Sequence, residues 1–319
     1  MKKVSIMIPT YNQAHYLGQA IGSALVQDYG NLEVVISDDC STDETPATVQ
    51  KFNDPRVKYF RNKTNLGRVG NYRKLLYEYA SGDYVLLLDG DDYLTCPDYI
   101  SKAISVFEKD GDVVLVFSNH KTLFENSGQH ACADMHLPLI MNGNWLFLNY
   151  YKKNIWIPHL TAVYNRQAAL AIDFYRLDIE SSDWESILRL ILNKRVGFIN
   201  TEAGVWRIHQ SNQTSALDIE FKLKNISFID SVSAYVSELN VFQAKELEAW
   251  KMRMLRIFLT GYFSKYIGQR RYKDAKAVFI LASKKNWKLA FYLISGGMAQ
   301  GCRKVRSAMA NKPSQGSAT

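Results

Sequence analysis

Five short apolar runs set the architecture of the first 120 residues: VSIMI (4–8), LEVVIS (32–37), VKYF (57–60), DYVLLL (83–88) and DVVLVFS (112–118). Most are continuously apolar, with little of the alternation a one-sided strand shows. A strand of that kind is covered on both faces, which is the habit of parallel sheets. Helical patterns fill the gaps. AHYLGQAIGSALVQ (14–27) places Leu17, Ile21, Ala24 and Leu25 on one face, and DETPATVQKF (43–52) carries Asp43 as a cap. RVGNYRKLLYEYA (68–80) stops at Ser81-Gly82, and PDYISKAISVFEK (97–109) precedes the fifth strand. This alternation predicts an α/β fold with a mostly parallel central sheet flanked by helices. Ligands of such sheets bind outside the carboxyl ends of the strands.

The middle of the chain is less regular. Residues 119–144 read as loop, WLFLNYYKK as helix and HLTAVYN (159–165) as a strand. SDWESILRLILNK (182–194) is an amphipathic helix with Ile187, Leu190 and Ile191 inward, and VGFIN and GVWRIH read as two more strands. From about 217 the pattern is helical and basic. Residues 251–319 hold 15 Lys/Arg against one acid, a net of +14, so with +8 on the whole chain the first 250 residues carry −6. That asymmetry asks for a polyanionic partner of the C-terminal region. Its helices mix Lys/Arg with aromatic and aliphatic residues, which suits peripheral contact with an anionic membrane surface. Packing as a helical bundle is the other reading. No nucleic-acid module accompanies the charge, so no nucleic-acid partner is expected.

With 47% hydrophobic and 13% aromatic residues in a length of 319, the chain can bury a large core. Cys40, Cys96, Cys132 and Cys302 are scattered, without CxxC or Cys/His metal spacing, and read as reduced thiols of a cytoplasmic protein. The opening MKKVSIMIPTYN lacks the apolar core of a signal peptide. No run reaches the ~18 apolar residues of a membrane span.

Four polar clusters fall on the expected ligand edge. PTYN (9–12) follows the first strand; it suits a polar ligand at a helix start, or a helix cap by Asn12. SDDCSTD (37–43) ends the second strand, where paired acids build a turn or accept hydrogen bonds from a base or ribose. In NLGRVGNYR (65–73) the glycines allow close backbone approach, while Arg68 and Arg73 could meet a diphosphate or stay solvated. DGDD (89–92) crowds three carboxylates at the end of the fourth strand. Such carboxylates raise one another's pKa unless a cation sits among them, and the arrangement suits a hard divalent ion.

The blocks VSIMIPTYNQAHYLGQAIGSALVQDYGNLEVVISDDCSTDET, NLGRVGNYR, ASGDYVLLLDGDD and VWRIHQSNQTS, in that order, resemble family 2 glycosyltransferases over residues 3–215. The resemblance implies a GT-A fold over 1–216, with a nucleotide-binding half (1–118) and an acceptor-binding half (119–216). A basic helical region (217–310) and a disordered tail (311–319) follow. It implies sugar transfer from a nucleotide-diphosphate donor, UDP- or dTDP-linked, to a hydroxyl of a lipid-linked or polysaccharide acceptor, with inversion and with Mn²⁺ or Mg²⁺. The setting it implies is the cytoplasmic face of the inner membrane.

Carried over by position, Pro9, Thr10 and Tyr11 line the nucleotide pocket, and Asp39 accepts from the base. Asn65, Gly67 and Arg68 border the base and diphosphate. Asp89 and Asp91 form the paired-acid motif, with Asp91 as direct metal ligand, Asp92 as its rival, and His209 near the metal. Asp183 is the catalytic base, with Glu185 in reserve; Ser182 stands where the family often has an acid. Asp183 as a plain helix cap, His209 as a solvated strand-end residue and His159 as a packed loop residue are the plainer readings. For Trp156, Trp184 and Trp206, core packing competes with stacking on a sugar. Transfer to a lipid phosphate, or non-catalytic binding of a nucleotide sugar, are the alternative functions.

Overall fold

The computed structural model describes residues 1–132, 134–152, 155–209 and 218–294. The chain forms two compact units, Met1–Ala216 with Ser231–Gln243, and Leu217–Asp230 with Ala244–Thr319.

In the first unit, β1 (Val4–Thr10), β2 (Leu32–Asp38), β3 (Val57–Arg61) and β4 (Tyr84–Leu87) lie in the order β3-β2-β1-β4, all parallel. Every residue of β1 and β2 is buried, as their unbroken apolar runs predict. Ile6 sits opposite both Val34 and Leu86. Helices α1 (Ala14–Leu25), α2 (Thr45–Gln50) and α3 (Gly67–Lys74) connect these strands. Helix α3 continues as a π-helical turn, Leu75–Tyr79, where the sequence predicts a single α-helix.

Helix α4 (Tyr99–Lys109) leads to β6 (Val113–Phe124). Strand β9 (Val163–Asn165) lies antiparallel between β4 and β6, and β10 (Arg195–Ile208) runs parallel to β6. Strands β5 (Tyr93–Leu94) and β8 (Ile140–Asn142) pair antiparallel with β10, and β7 (Gln129–Cys132) pairs antiparallel with β6. Among the described residues, β1, β2, β3, β4, β6 and β10 thus point one way, a mostly parallel sheet.

Three expectations change here. Residues 119–144 hold the second half of β6 together with β7 and β8, because β10 and β7 supply the pairing that a polar run cannot announce. VGFIN and GVWRIH are one strand, β10, with register shifts between the two runs on either side of Glu202. HLTAVYN divides into a 3₁₀ turn (His159–Thr161) and β9. Helices α5 (Gly143–Asn149), α6 (Arg166–Ala171) and α7 (Ser182–Leu190) complete the unit.

A buried acid fastens the parallel strands. Glu33 of β2 accepts from Ser5 Oγ of β1 at 2.6 Å and from the Ser81 amide at 2.9 Å. The ammonium groups of Lys3 and Lys58 each lie 2.6 Å from its other oxygen. Gly82 closes the same junction: its N–H donates to Ser5 Oγ, and a Cβ there would fall 2.7 Å from the Ser5 nitrogen. Burial raises the Glu33 pKa, but both ammoniums, the hydroxyl and the amide outweigh it and hold the carboxyl at about 2.

The second unit contains helices Ile219–Asn225, Ala244–Gly268 and Tyr272–Lys285, and residues 287–294 are also helical. Trp250, Met254, Leu255, Leu259, Tyr266, Val278, Ala282, Leu289 and Leu293 are buried there. Asp230 pairs with Lys251 at 3.1 Å and Lys285 at 2.5 Å. Among the described residues no helix is long and apolar enough to cross a membrane. Cys40, Cys96 and Cys132 are free thiols. Cys302 and the expected tail, 311–319, lie outside the described residues.

Glu33→Gln should lower stability at pH 7 by about 1–3 kcal/mol, since its partners lose a charged acceptor. A carboxyl whose pKa falls on folding stabilises above its unfolded value, and that contribution fades as pH drops toward the folded value. The gap between wild type and variant in urea melts should therefore close between about pH 4.5 and pH 2.

Candidate active site

Backbone hydrogen bonds carry the sheet past its strand ends and align three polar loops. The Asp39 N–H donates to Thr10 O at 2.9 Å, the Leu88 N–H to Met7 O at 2.9 Å and the Gly90 N–H to Pro9 O at 3.1 Å. A Cβ at Gly90 would lie 2.8 Å from Gln13 Oε1, 3.1 Å from Thr10 Oγ1 and 3.2 Å from the Pro9 carbonyl, so glycine lets the acidic turn approach without displacing the Gln13 side chain. A pocket of about 370 Å³ opens between these loops. It is lined by Pro9, Thr10, Tyr11, Asn12, Gln13, Tyr16, Asp39, Asn65, Gly67, Arg68, Asn71, Tyr72, Asp89, Asp91, Asp92, Trp206 and His209. Every sequence-nominated nucleotide and metal residue is among them; Asp183 is not.

The alternation of side chains along a strand divides the two acids that end β2. Asp38 turns to the scaffold, accepting from the Ser41 amide at 2.8 Å and Tyr59 Oη at 2.6 Å. Asp39 faces the pocket. Its Oδ1 accepts from Asn62 Nδ2 and the Leu66 amide, each at 2.9 Å, and its Oδ2 makes no hydrogen bond among the described residues. Asn62 leans on Asn71, which anchors to Ser37. Asn12 does not cap α1. At φ +53 its side chain accepts from the Thr42 amide, and Asp43, in the loop after β2, caps α1 by accepting the Ala14 amide at 2.9 Å.

Gly67, at φ +76, opens α3 and sends Arg68 to the carbonyls of Ile179 (3.0 Å) and Glu180 (2.5 Å). Arg73 pairs with Asp173 at 2.8 Å and does not line the pocket. One turn after Arg68, Tyr72 donates to Asp89 Oδ1 at 2.7 Å. Tyr72 was not nominated from sequence, although the i, i+4 spacing to Arg68 places both on one helical face.

The acidic turn divides its roles. Asp91 Oδ2 lies 2.9 Å from His209 Nε2, and Asp92 Oδ1 accepts the Arg207 amide at 2.9 Å. Burial and the charge of Asp91 push the Asp89 pKa up to about 7. Burial, Asp91 and Asp89 push Asp92 well above the usual carboxylate range. The Arg207 guanidinium lies over Tyr16, 4.6 Å from the ring centre, and Tyr16 stacks 4.7 Å from the His209 ring. Burial and Glu125, the acceptor of its hydroxyl, push the Tyr16 pKa up to about 12.

Among the described residues no three His, Cys, Asp or Glu side chains already form a metal cluster. Asp91 and His209 bring a carboxylate oxygen and an imidazole nitrogen together at the pocket, a donor pair that fits one ion. One carboxylate, one imidazole and a ligand's phosphate oxygens suit a small divalent cation. The buried Thr10 Oγ1 beside them has no hydrogen-bond partner among the described residues.

Asp183 stands in the first turn of α7, its side chain 16% exposed, with Oδ2 3.8 Å from His159 Nδ1. The Arg68 contacts to Ile179 and Glu180 tie the segment before α7 to the pocket wall. The reserve base is committed elsewhere: Glu185 is fully buried, paired with Arg189 at 2.8 Å and Arg176 at 2.9 Å, and accepts from Ser231 at 2.6 Å. Of the three tryptophans, Trp206 lines the pocket, Trp156 meets His120 edge-on, and Trp184 packs on Tyr151.

A family model described as Glycosyl transferase family 2 matches residues 5–171, just over half of the chain. Over 119 residues the chain is 36% identical to poly(ribitol-phosphate) beta-N-acetylglucosaminyltransferase TarS of Staphylococcus aureus, a match covering 36% of this chain and 21% of TarS. Over 124 residues it is 34% identical to UDP-Glc:alpha-D-GlcNAc-diphosphoundecaprenol beta-1,3-glucosyltransferase WfgD of Escherichia coli, covering 39% and 48% of the two chains. The chain thus spans about a fifth and about half of these relatives. The fold is similar to the crystal structure of S. aureus TarS 1–349 in complex with UDP-GlcNAc, with a TM-score of 0.68 at 18% identity, covering 93% and 88% of the chains. It is also similar to the mannosyltransferase PcManGT from Pyrobaculum calidifontis in complex with GDP-Man and Mn²⁺, with a TM-score of 0.55 at 16% identity, covering 94% and 81%.

Asp92→Asn keeps an acceptor for the Arg207 amide and removes a charge that burial disfavours. A carboxyl whose pKa rises on folding costs stability as pH climbs above its unfolded value. In buffer with EDTA the variant should therefore melt with wild type near pH 4. At pH 7.5 it should be more stable by about 0.5–2 kcal/mol; a less stable variant at pH 7.5 would refute the assignment.

Proposed function

The chain belongs to glycosyl transferase family 2, and from that premise we propose that it moves a sugar from a nucleotide-diphosphate donor to an acceptor hydroxyl. UDP- or dTDP-sugars are the favoured donors. The base lies against Asp39 Oδ2, an acceptor suited to the N3–H of uracil or thymine, between the walls of Pro9–Tyr11 and Asn65–Arg68. Asp91 and His209 are the residues that would hold Mn²⁺ or Mg²⁺, which supplies positive charge to the departing diphosphate. Asp183 takes the proton of the acceptor hydroxyl as that oxygen attacks the anomeric carbon; the nucleoside diphosphate leaves, and the configuration inverts. The single observation carrying this reading is one pocket that gathers an Asp39 oxygen and a Thr10 hydroxyl, both without a hydrogen bond among the described residues, with an acid–imidazole pair.

A lipid-linked or polysaccharide acceptor at the cytoplasmic face of a membrane completes the proposal. It is supported by the relatives, which are named for transfer to poly(ribitol-phosphate) and to a diphosphoundecaprenol-linked sugar. The basic C-terminal helices support it too. Residues 287–294 bury Leu289 and Leu293 while Trp287 and Ile294 stay exposed beside Lys284, Lys285 and Lys288, a composition that suits an anionic interface.

Asp183→Asn should reduce transfer by about 10²- to 10⁴-fold. The rise in melting temperature given by UDP with Mn²⁺ should stay that of wild type, because that shift reports binding alone. Unchanged turnover in the variant would instead indicate an acceptor that needs no base, such as a lipid phosphate.

A further inference from the structure

His159 belongs to no part of the donor pocket, yet it sits in a fixture built around Asp183. Its Nδ1 faces Asp183 Oδ2 at 3.8 Å, and its Nε2 lies 2.8 Å from Tyr175 Oη. Tyr175 Oη in turn lies 3.2 Å from Tyr164 Oη. Both tyrosines are fully buried, whereas the His159 and Asp183 side chains are 12% and 16% exposed. The row therefore begins in the interior and ends at a solvent-reachable carboxylate. Its members are tied to one another. The Tyr175 amide, at a left-handed φ of +61, donates to Ser186 Oγ at 2.8 Å, one turn along the helix that carries Asp183. The Tyr72 ring packs 5.3 Å from Tyr175 and 6.2 Å from His159, while its hydroxyl holds Asp89 in the donor pocket.

The hydrogen-bond inventory selects one arrangement of protons. Burial, opposed by Asp183 and assisted by Arg68, lowers the His159 pKa and leaves the imidazole neutral near pH 7. A neutral ring has one N–H. Placing it on Nε2 would aim the bare Nδ1 lone pair at an ionised carboxylate. Placing it on Nδ1 suits the row: Tyr164 donates to Tyr175, Tyr175 donates to Nε2, and the Nδ1–H lies on the side of Asp183, 3.8 Å away and beyond direct hydrogen-bond reach.

We propose that His159 is the positioning residue of Asp183, locked as the Nδ1–H tautomer by Tyr175 and Tyr164. An N–H on that side gives the carboxylate a donor to orient against. This rests on Asp183 being the base, and the two ideas fail separately. Besides Asp183, the groups facing the imidazole are Arg68 and Tyr72 of α3 and Tyr175 of the segment before α7.

The test needs no turnover for its first readout. In ¹⁵N-histidine NMR of the full chain, with the His159 signals assigned by their loss in His159→Asn, wild type should show a neutral ring protonated at Nδ1. Asp183→Ala should shift it toward Nε2–H. A wild-type ring protonated at Nε2, or averaging between the two, overturns the proposal. The second readout is UDP released from UDP-GlcNAc with Mn²⁺, water serving as acceptor. His159→Leu should lose roughly ten- to a hundredfold in kcat with little change in KM, the size seen when a group orienting a reactive side chain is removed. His159→Asn, which keeps an N–H near the Nδ1 position, should recover most of that loss. Equal losses in the two variants would mark His159 as packing only. Should Asp183→Asn release UDP at the wild-type rate, the base assignment fails while the tautomer result stands.

Discussion

The site depends on the Gly90 amide reaching the carbonyl of Pro9. That bond lays the acidic turn after β4 against the end of β1, and the Asp39 amide does the same for β2 through Thr10. Three loops distant in sequence thereby share one edge. The approach is close, since a Cβ on Gly90 would have to displace the end of the Gln13 side chain and press on Thr10. Everything chemical in the pocket follows from this contact: it fixes where Asp89, Asp91 and Asp92 stand relative to Asp39 and His209.

The same contact creates an electrostatic cost. Three carboxylates within four residues are buried or nearly so, and burial together with mutual repulsion raises Asp89 and Asp92. Strands can bury an acid without such strain, as Glu33 does by recruiting two ammoniums and two hydroxyl-bearing neighbours. The turn has no such lysine. Asp92 accepts an amide, Asp89 a phenol, and Asp91 lies against an imidazole, while the charges of Arg68 and Arg207 act on Asp89 and Asp92. Arg68 and Arg207 offset part of the repulsion, yet Asp89 and Asp92 stay raised, and carboxylates so perturbed in a pocket are candidates for a functional cluster.

How much could be read from the chain alone follows from where each signal resides. The strands of the parallel half were legible because burial on both faces writes itself as an uninterrupted apolar run. The second half of β6 was not, because Ser118, Asn119, His120 and Thr122 are polar and their partner strand begins some eighty residues later. The nominated pocket residues came together because each stands at a strand end, and strand ends are what an α/β pattern locates. Tertiary partners escaped notice: that Asp43 caps the helix of another loop, that Glu185 is enclosed by Arg176, Arg189 and Ser231, and that His159 faces Asp183 all depend on contacts between distant segments. Only Tyr72 was within reach, one turn after Arg68 in a stretch already singled out.

The central claim is that the acidic turn and His209 hold a cation against a sugar nucleotide's diphosphate. The most direct measurement is anomalous diffraction at the manganese edge from crystals grown with UDP and Mn²⁺. The account predicts one strong peak between Asp91 and His209, in contact with the phosphates of a UDP whose uracil lies against Asp39. UDP bound in the pocket with no peak at Asp91, or uracil turned away from Asp39, would contradict it.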